Sequence, residues 1–463
     1  MEMLVLGGGI SGLATALALE AEARSRGVSA TVRLFEADIR LGGKVDSHKV
    51  DGFVIERGVN GWLDSKPTTD ALCRELGIYD ERLPSNDASR RRFILRHGRL
   101  HEVPAKPPAF VKSSLMSWPG KIRLAGELWA KPRPPGDESL ADFARRRLGA
   151  EALDALLDPM VSGIYAGNPE EMSLQSCFPR IAEIETKYGG LMRGMMKIKK
   201  ERAAERRAGK DAKEVSAAGP GGRLISFASG TSYLIEVMAR KLETPPTLGK
   251  AAVGVRRQAG GYAVTFSDGS VVNAEKVVLA LPAYRAASVL EPLDGDLARE
   301  LSEIPYAAVS VVALAWRREQ VPHPLDGFGF VVPFSEGAEI LGTLWDSSVF
   351  TDRAPDGFVL TRSMVGGRRR GDLALRDQAA LVESVRQAMQ RLLGVTARPE
   401  LAHVAMHERA IPQYVVGHSE RLRRIEARVG GLPGLHLTGN AYRGVGLNDC
   451  TAQAKIVARA VWA

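Results

Sequence analysis

Three glycines, Gly7, Gly9 and Gly12, stand in the spacing GxGxxG directly after the apolar run 3–6. Such a turn lets backbone approach a pyrophosphate, and the helix that follows offers unpaired N–H groups and a positive dipole end. Glu36, 24 residues beyond Gly12, ends the stretch TVRLFE, where a carboxylate can accept both hydroxyls of an adenosine ribose. Gly42 and Gly43 follow between Arg40 and Lys44 and give the backbone a second passage beside a diphosphate. The chemistry indicated is dinucleotide binding. His403 and His407 have the i,i+4 spacing of metal ligands, but HVAMHERA lacks the HExxH order and reads as a strand, so no metal site is expected.

These residues need a particular frame. Residues 3–6 read as a strand, 13–23 as a helix rich in alanine and leucine, and 31–35 as a second strand. The nearly continuous apolar run 276–282 is the pattern of a buried parallel strand, expected to rejoin the N-terminal sheet. Residues 435–440 lead into GVGLND at 444–449 and a final helix from about 449 to 462, with Asn448 or Asp449 as N-cap. Between these segments, 85–205 looks mainly helical, with one clear helix over 139–157, and 206–222 is a polar, mobile loop. Strands around 311–316, 327–333 and 359–367, with a helix over 376–393, indicate a separate mixed-sheet domain.

With the second glycine pair and the stretch GFVIERGVNG at 52–61, the chain resembles the amine oxidase, phytoene desaturase and protoporphyrinogen oxidase superfamily of FAD proteins. The tail GNAYRGVGLNDC at 439–450, GIYAGN at 163–168, SCFP at 176–179, and IPQY with Gly417-His418 narrow the likeness to the oxygen-dependent protoporphyrinogen oxidases, across the whole chain. That resemblance implies noncovalent FAD held by Gly7, Gly8, Gly9, Ile10, Ser11 and Gly12, by Glu36, Ala37, Gly43 and Lys44, and by Gly58, Val59, Asn60 and Gly61. Val253 would meet the adenine through its backbone, Ser419 aligns with a flavin-contacting position, and Gly439 opens the tail motif. N–H groups of Val445, Gly446 and Leu447 would face the N1/O2 edge of the flavin, where a helix dipole stabilises negative charge.

The implied reaction is oxidation of protoporphyrinogen IX to protoporphyrin IX in heme biosynthesis, by hydride transfer to flavin N5 and reoxidation by O2 to H2O2. Coproporphyrinogen III is the alternative substrate. No residue is assigned as catalytic, because the redox chemistry belongs to the cofactor and pyrrole protons can leave to water. Arg92 matches the propionate-binding arginine, Phe328 and Val331 the apolar positions that sandwich the macrocycle, and Gly163 the point of close ring approach. Met364 is a further pocket-wall candidate.

The expected fold is α/β: a Rossmann-like FAD-binding domain from the discontinuous segments 1–84, 235–290 and 405–463, a mixed-sheet substrate domain from 206–234 and 291–404, and an inserted helical membrane-associating domain over 85–205. Composition agrees with a globular chain: 463 residues, 45% hydrophobic and 25% charged. The three separated cysteines exclude a disulfide scaffold and fit a reducing compartment. No apolar run reaches the length of a membrane span, and the N-terminal run lacks the charged start of a signal peptide. The net charge of +9 is concentrated in residues 187–213, where ten cations face three acids. Without interleaved aromatics this patch does not indicate nucleic acid. With Leu191, Met192, Met195, Met196 and Ile198 on one face, it suggests an interfacial helix on anionic lipid. The partners expected are a tetrapyrrole, O2, the inner face of the cell membrane from the cytoplasmic side and, as an option, a second copy of the chain.

Overall fold

The structure, a computed structural model, describes residues 1–104, 106–131, 133, 136–207 and 222–463. The chain divides into two compact units: Met1–Ser85, Arg223–Pro305 and Glu420–Ala463 form one, Asn86–Gly222 and Tyr306–Ser419 the other.

The first unit is built on a four-stranded sheet whose neighbours are all parallel, in the order Leu435–Leu437, Lys276–Leu279, Glu2–Leu6, Thr31–Phe35. Leu4 lies opposite both Val277 and Arg33, so the apolar run 276–282 does rejoin the N-terminal sheet. Central strands of such a sheet are covered on both faces, which is why Met3, Leu4, Val5, Val277 and Leu279 are all fully buried. Helix Ile10–Arg26 packs beside the last helix, Leu447–Val461, in one apolar cluster that contains Leu13, Leu19, Ala454 and Val461. The last helix starts earlier than its sequence suggests. Gly446 is its N-cap, and Asp449, the third helical residue, accepts a hydrogen bond from Gly446 N at 3.2 Å. Neither Asn448 nor Asp449 is the cap, because Gly446 already has the extended backbone a cap requires (φ −81°, ψ 161°).

The second unit carries a seven-stranded mixed sheet. Its order is Leu401–Pro412, Tyr306–Arg317, Phe358–Gly366, Ile340–Leu344, Gly329–Val331, Arg92–Arg96, Arg99–Glu102. Only the contact between Gly329–Val331 and Arg92–Arg96 is parallel. Residues 92–102 and 405–412, grouped by sequence with the helical insert and the FAD segments, are strands of this sheet. Their pairing is non-local, so no periodicity reveals it. One face is covered by helix Gln378–Leu393, whose Leu381, Val385 and Met389 belong to one apolar cluster with Phe93, Val312 and Phe330.

The helical part departs from expectation in two places. Residues 139–157 are not one helix: Leu140–Arg147 ends before Gly149 (φ 97°), and a short turn and a π-helical turn then lead into Asp158–Tyr165. Gly149 takes a conformation closed to other residues, which outweighs the helical periodicity around it. The Met-rich stripe of helix Leu191–Arg207 is also not a free face. Gly194 is buried against Ile184 and Tyr188 of helix Pro179–Tyr188, Leu191, Met195 and Ile198 are half-buried, and Met196 is the exposed member at 59%. The expected loop at 206–222 lies largely outside the described residues.

Candidate functional site

In the first unit the glycine turn is closed on one side and open on the other. A Cβ on Gly12 would lie 1.8 Å from Gly7 O, so only glycine lets the helix start this close to the strand. A Cβ on Gly9 would meet nothing nearer than Gly42 O at 3.9 Å, and one on Gly43 nothing nearer than Gly9 Cα at 3.8 Å. The two glycine segments are joined by a hydrogen bond from Gly42 N to Gly8 O at 2.9 Å. Open space between two bare backbones, beside the first turn of a helix at Ile10 and Ser11, is what a diphosphate needs.

Around that space stand groups whose bonding capacity the protein does not use. Glu36, half-buried at the end of its strand beside exposed Ala37, accepts from Gly8 N at 2.6 Å and Asp38 N at 2.9 Å, which leaves lone pairs for further donors. Lys44 has no carboxylate partner among the described residues, and burial lowers its pKa. Its carbonyl accepts from Val59 N at 3.3 Å, next to Gly58. Both side-chain polar atoms of Asn60 are buried with no partner among the described residues, as is the Thr438 hydroxyl beside Gly439. Buried groups of this kind are costly unless something bonds to them. Gly61 backs against Ile225 O, where a Cβ would sit at 2.1 Å. Val253 is the extra residue of a β-bulge and half exposed, so its backbone lies outside the regular ladder. Val445, Gly446 and Leu447 form the entry to the last helix. These residues fit an adenine dinucleotide. Cys450 is buried and its thiol is pushed up to about 11 by desolvation, the opposite of an activated sulfur.

Ser419 belongs to the second unit, where its hydroxyl lies 3.0 Å from that of Ser176. Thr438 is the group the sequence reading missed; a threonine before a glycine carries no signal until its burial is known.

The five substrate candidates all lie in the second unit. Register places Arg92 opposite Gly329, and Val331 opposite Ile94 and Gly342, while Gly342 is opposite Met364. Side chains alternate along strands, so Arg92, Val331 and Met364 share the face turned away from helix Gln378–Leu393. Gly163, exposed on helix Asp158–Tyr165, approaches this row: a Cβ there would come 3.3 Å from Val331 Cγ1. Phe328 precedes the strand, and the Arg92 guanidinium sits over its ring at 5.3 Å. Arg92 is exposed yet has enough protein around it to lower its pKa by desolvation, and it has no carboxylate partner among the described residues. Its neighbour Arg91 is instead committed to Glu102 and Asp326. An unpaired guanidinium beside an aromatic ring and a strip of apolar surface suits a flat apolar molecule that bears a carboxylate. Gly342, missed from sequence, separates Val331 from Met364 and keeps the middle of the row free of a side chain.

A parallel sheet with a glycine turn and an acid just after its edge strand, in a chain with a separate mixed sheet, defines an α/β flavoprotein of the amine oxidase fold. The chain belongs to the flavin-containing amine oxidoreductase family, whose pattern matches residues 10–462. Flavin, as FAD, is the cofactor this membership implies. The chain is 34% identical to a chloroplastic protoporphyrinogen oxidase of Oryza sativa subsp. japonica, covering 98% of this chain and 86% of that protein. It is 29% identical to the coproporphyrinogen III oxidase of Bacillus subtilis (strain 168), covering 98% and 96%. A crystal structure of a protein from Exiguobacterium sp. 255-15 superposes with a TM-score of 0.84 at 28% identity, over 99% of this chain and 98% of that one. Reduced UDP-galactopyranose mutase, at 16% identity and a TM-score of 0.74, shares the fold over 100% of this chain and 95% of its own.

Proposed function

We propose that the chain is an oxygen-dependent porphyrinogen oxidase of tetrapyrrole biosynthesis, with protoporphyrinogen IX as its substrate. The observation that carries this reading is the unpaired Arg92 guanidinium over Phe328, on one face with Val331, Met364 and Gly163. Bound noncovalently, FAD would supply the redox chemistry: three hydride acceptances per porphyrinogen, with three O2 reduced to three H2O2. This chain's residues orient and shield. Arg92 would hold a propionate, Phe328 and Val331 would cover the ring faces, and the bare backbone at Gly163 would leave room for the macrocycle. No side chain is assigned as a base: of the three protons released, two leave from pyrrole N–H and one from the fourth meso carbon by tautomerisation, and all three pass to water.

The second reading is coproporphyrinogen III oxidation, favoured by the Bacillus subtilis relative. Four carboxylates call for several cations. Arg362 lies in the same sheet row as Arg92, but it is buried and bonded to Asp346 at 2.8 and 3.2 Å, which supports the substrate with fewer carboxylates. Anaerobic bleaching of the flavin by each porphyrinogen tests both readings. Faster bleaching by coproporphyrinogen would reverse the choice, and bleaching by neither would remove the function.

We also propose that the protein works at the cytoplasmic face of an anionic membrane. Among the described residues no helix is long and apolar enough to cross one. The support shifts from the Met-rich stripe to Trp118, Ile122 and Trp129, exposed at 64, 70 and 80%, beside Lys121 and Lys131.

A further inference from the structure

The helix that carries Gly163 is held at both ends by a single turn, residues 367–370, which follows the strand that carries Met364. At its start, Asp158, 4% exposed, accepts from Phe334 N at 2.7 Å through one carboxylate oxygen. Its other oxygen is paired with the Arg369 guanidinium. The same guanidinium lies over the Phe334 ring at 4.1 Å and reaches Ser162 Oγ at 3.5 Å. At the helix end, Ala166 O accepts from Arg368 N at 2.7 Å, and Arg368 Nε bonds Glu171 at 2.8 Å. Gly367 passes so close that a Cβ there would lie 2.9 Å from Ala166 O. Phe334 itself follows Val331 by three residues. The clamp therefore links all three elements that bound the candidate macrocycle surface: the Gly163 helix, the Val331 strand and the Met364 strand.

We propose that Asp158 and Arg369 are positioning residues that set the clearance between Gly163 and the Val331–Met364 row, and thereby decide which porphyrinogen fits. A planar fork bonded on one side and stacked on the other fixes separation better than a point charge would. A gap that already puts a Cβ at 3.3 Å from Val331 responds to shifts of a few tenths of an ångström.

This rests on the proposed porphyrinogen surface, and the test separates the two. A double-mutant cycle combines Gly163→Ala with Arg369→Met in the FAD-loaded protein, reading the Kd of the product porphyrin by fluorescence and kcat and KM for both porphyrinogens. Gly163→Ala alone should weaken porphyrin binding about tenfold. With Arg369→Met present the added methyl should cost less than threefold, and the preference between porphyrinogens should narrow. Should Arg369→Met fail to fold, the cycle runs with Arg369→Lys, which keeps the charge and loses the fork. Strictly additive effects in the flavin-replete variants overturn the clamp while leaving the surface in place. No effect of Gly163→Ala on porphyrin binding overturns the surface, and the clamp's role with it.

Discussion

Replacing Arg92 by alanine tests the substrate reading with little collateral damage to the fold. Its guanidinium has no carboxylate partner among the described residues, so its loss strands no buried charge, whereas Arg91→Ala would release Glu102 and Asp326. Among the described residues the side-chain interaction given up is the one with the Phe328 ring at 5.3 Å, worth about 0.5–1 kcal/mol at an exposed site. Against the substrate the cost is larger. A charged hydrogen-bond partner contributes about 1.5–3 kcal/mol, which is about ten- to a hundredfold in kcat/KM. The loss should fall on KM first and on kcat as well, because a macrocycle that is no longer anchored presents its reacting carbon at a poorer angle. Arg92→Lys should recover part of the loss, since it restores charge without the planar fork. The assay is steady-state porphyrin formation followed by fluorescence, with flavin content and thermal midpoint measured on the same preparations. Parental kcat/KM in flavin-replete Arg92→Ala and Phe328→Ala would place the macrocycle elsewhere and refute the assignment.

Glu36→Ala should raise the FAD Kd about ten- to a hundredfold by removing the ribose acceptor; unchanged affinity by flavin-fluorescence titration would free Glu36 from that role. Acid or heat should release all the flavin into solution, because the Cys450 thiol is buried and its pKa raised to about 11; yellow denatured protein after filtration would contradict this. Burial, with the nearby Glu243 charge adding to it, raises the pKa of Glu20 on the first helix from 4.5 to about 7. The unfolded chain gives up this proton at lower pH than the folded one, so stability falls as pH rises from 4.5 to about 7. Glu20→Gln should melt with the parent at pH 4 and above it at pH 8, by up to about 3 kcal/mol; a midpoint gap that does not change with pH would exclude the effect. Binding to anionic vesicles should weaken as salt rises and fall further in Trp129→Ala, and equal binding to neutral vesicles would remove the electrostatic part.

The cofactor half was legible because its signal is local. Gly7, Gly9, Gly12 and Glu36 lie on one strand–turn–helix–strand unit, where steric demand on single residues and apolar runs of fixed period dictate both structure and chemistry. The run 276–282 announced a buried parallel strand by composition alone, and it took that place against Glu2–Leu6. Other features depended on partners distant in sequence. Only strand register puts Arg92, Val331 and Met364, far apart in the chain, on one face, and only tertiary packing half-buries Leu191, Met195 and Ile198 of the Met-rich stripe. The burial that leaves Asn60 and Thr438 without partners, and the turn that ties Asp158 to Arg369, arise from closure of the chain upon itself. Residue type and spacing determined which groups could act. Tertiary structure decided which of them meet and which have bonding capacity left for a ligand, because pairing and desolvation are properties of neighbours that sequence order does not record.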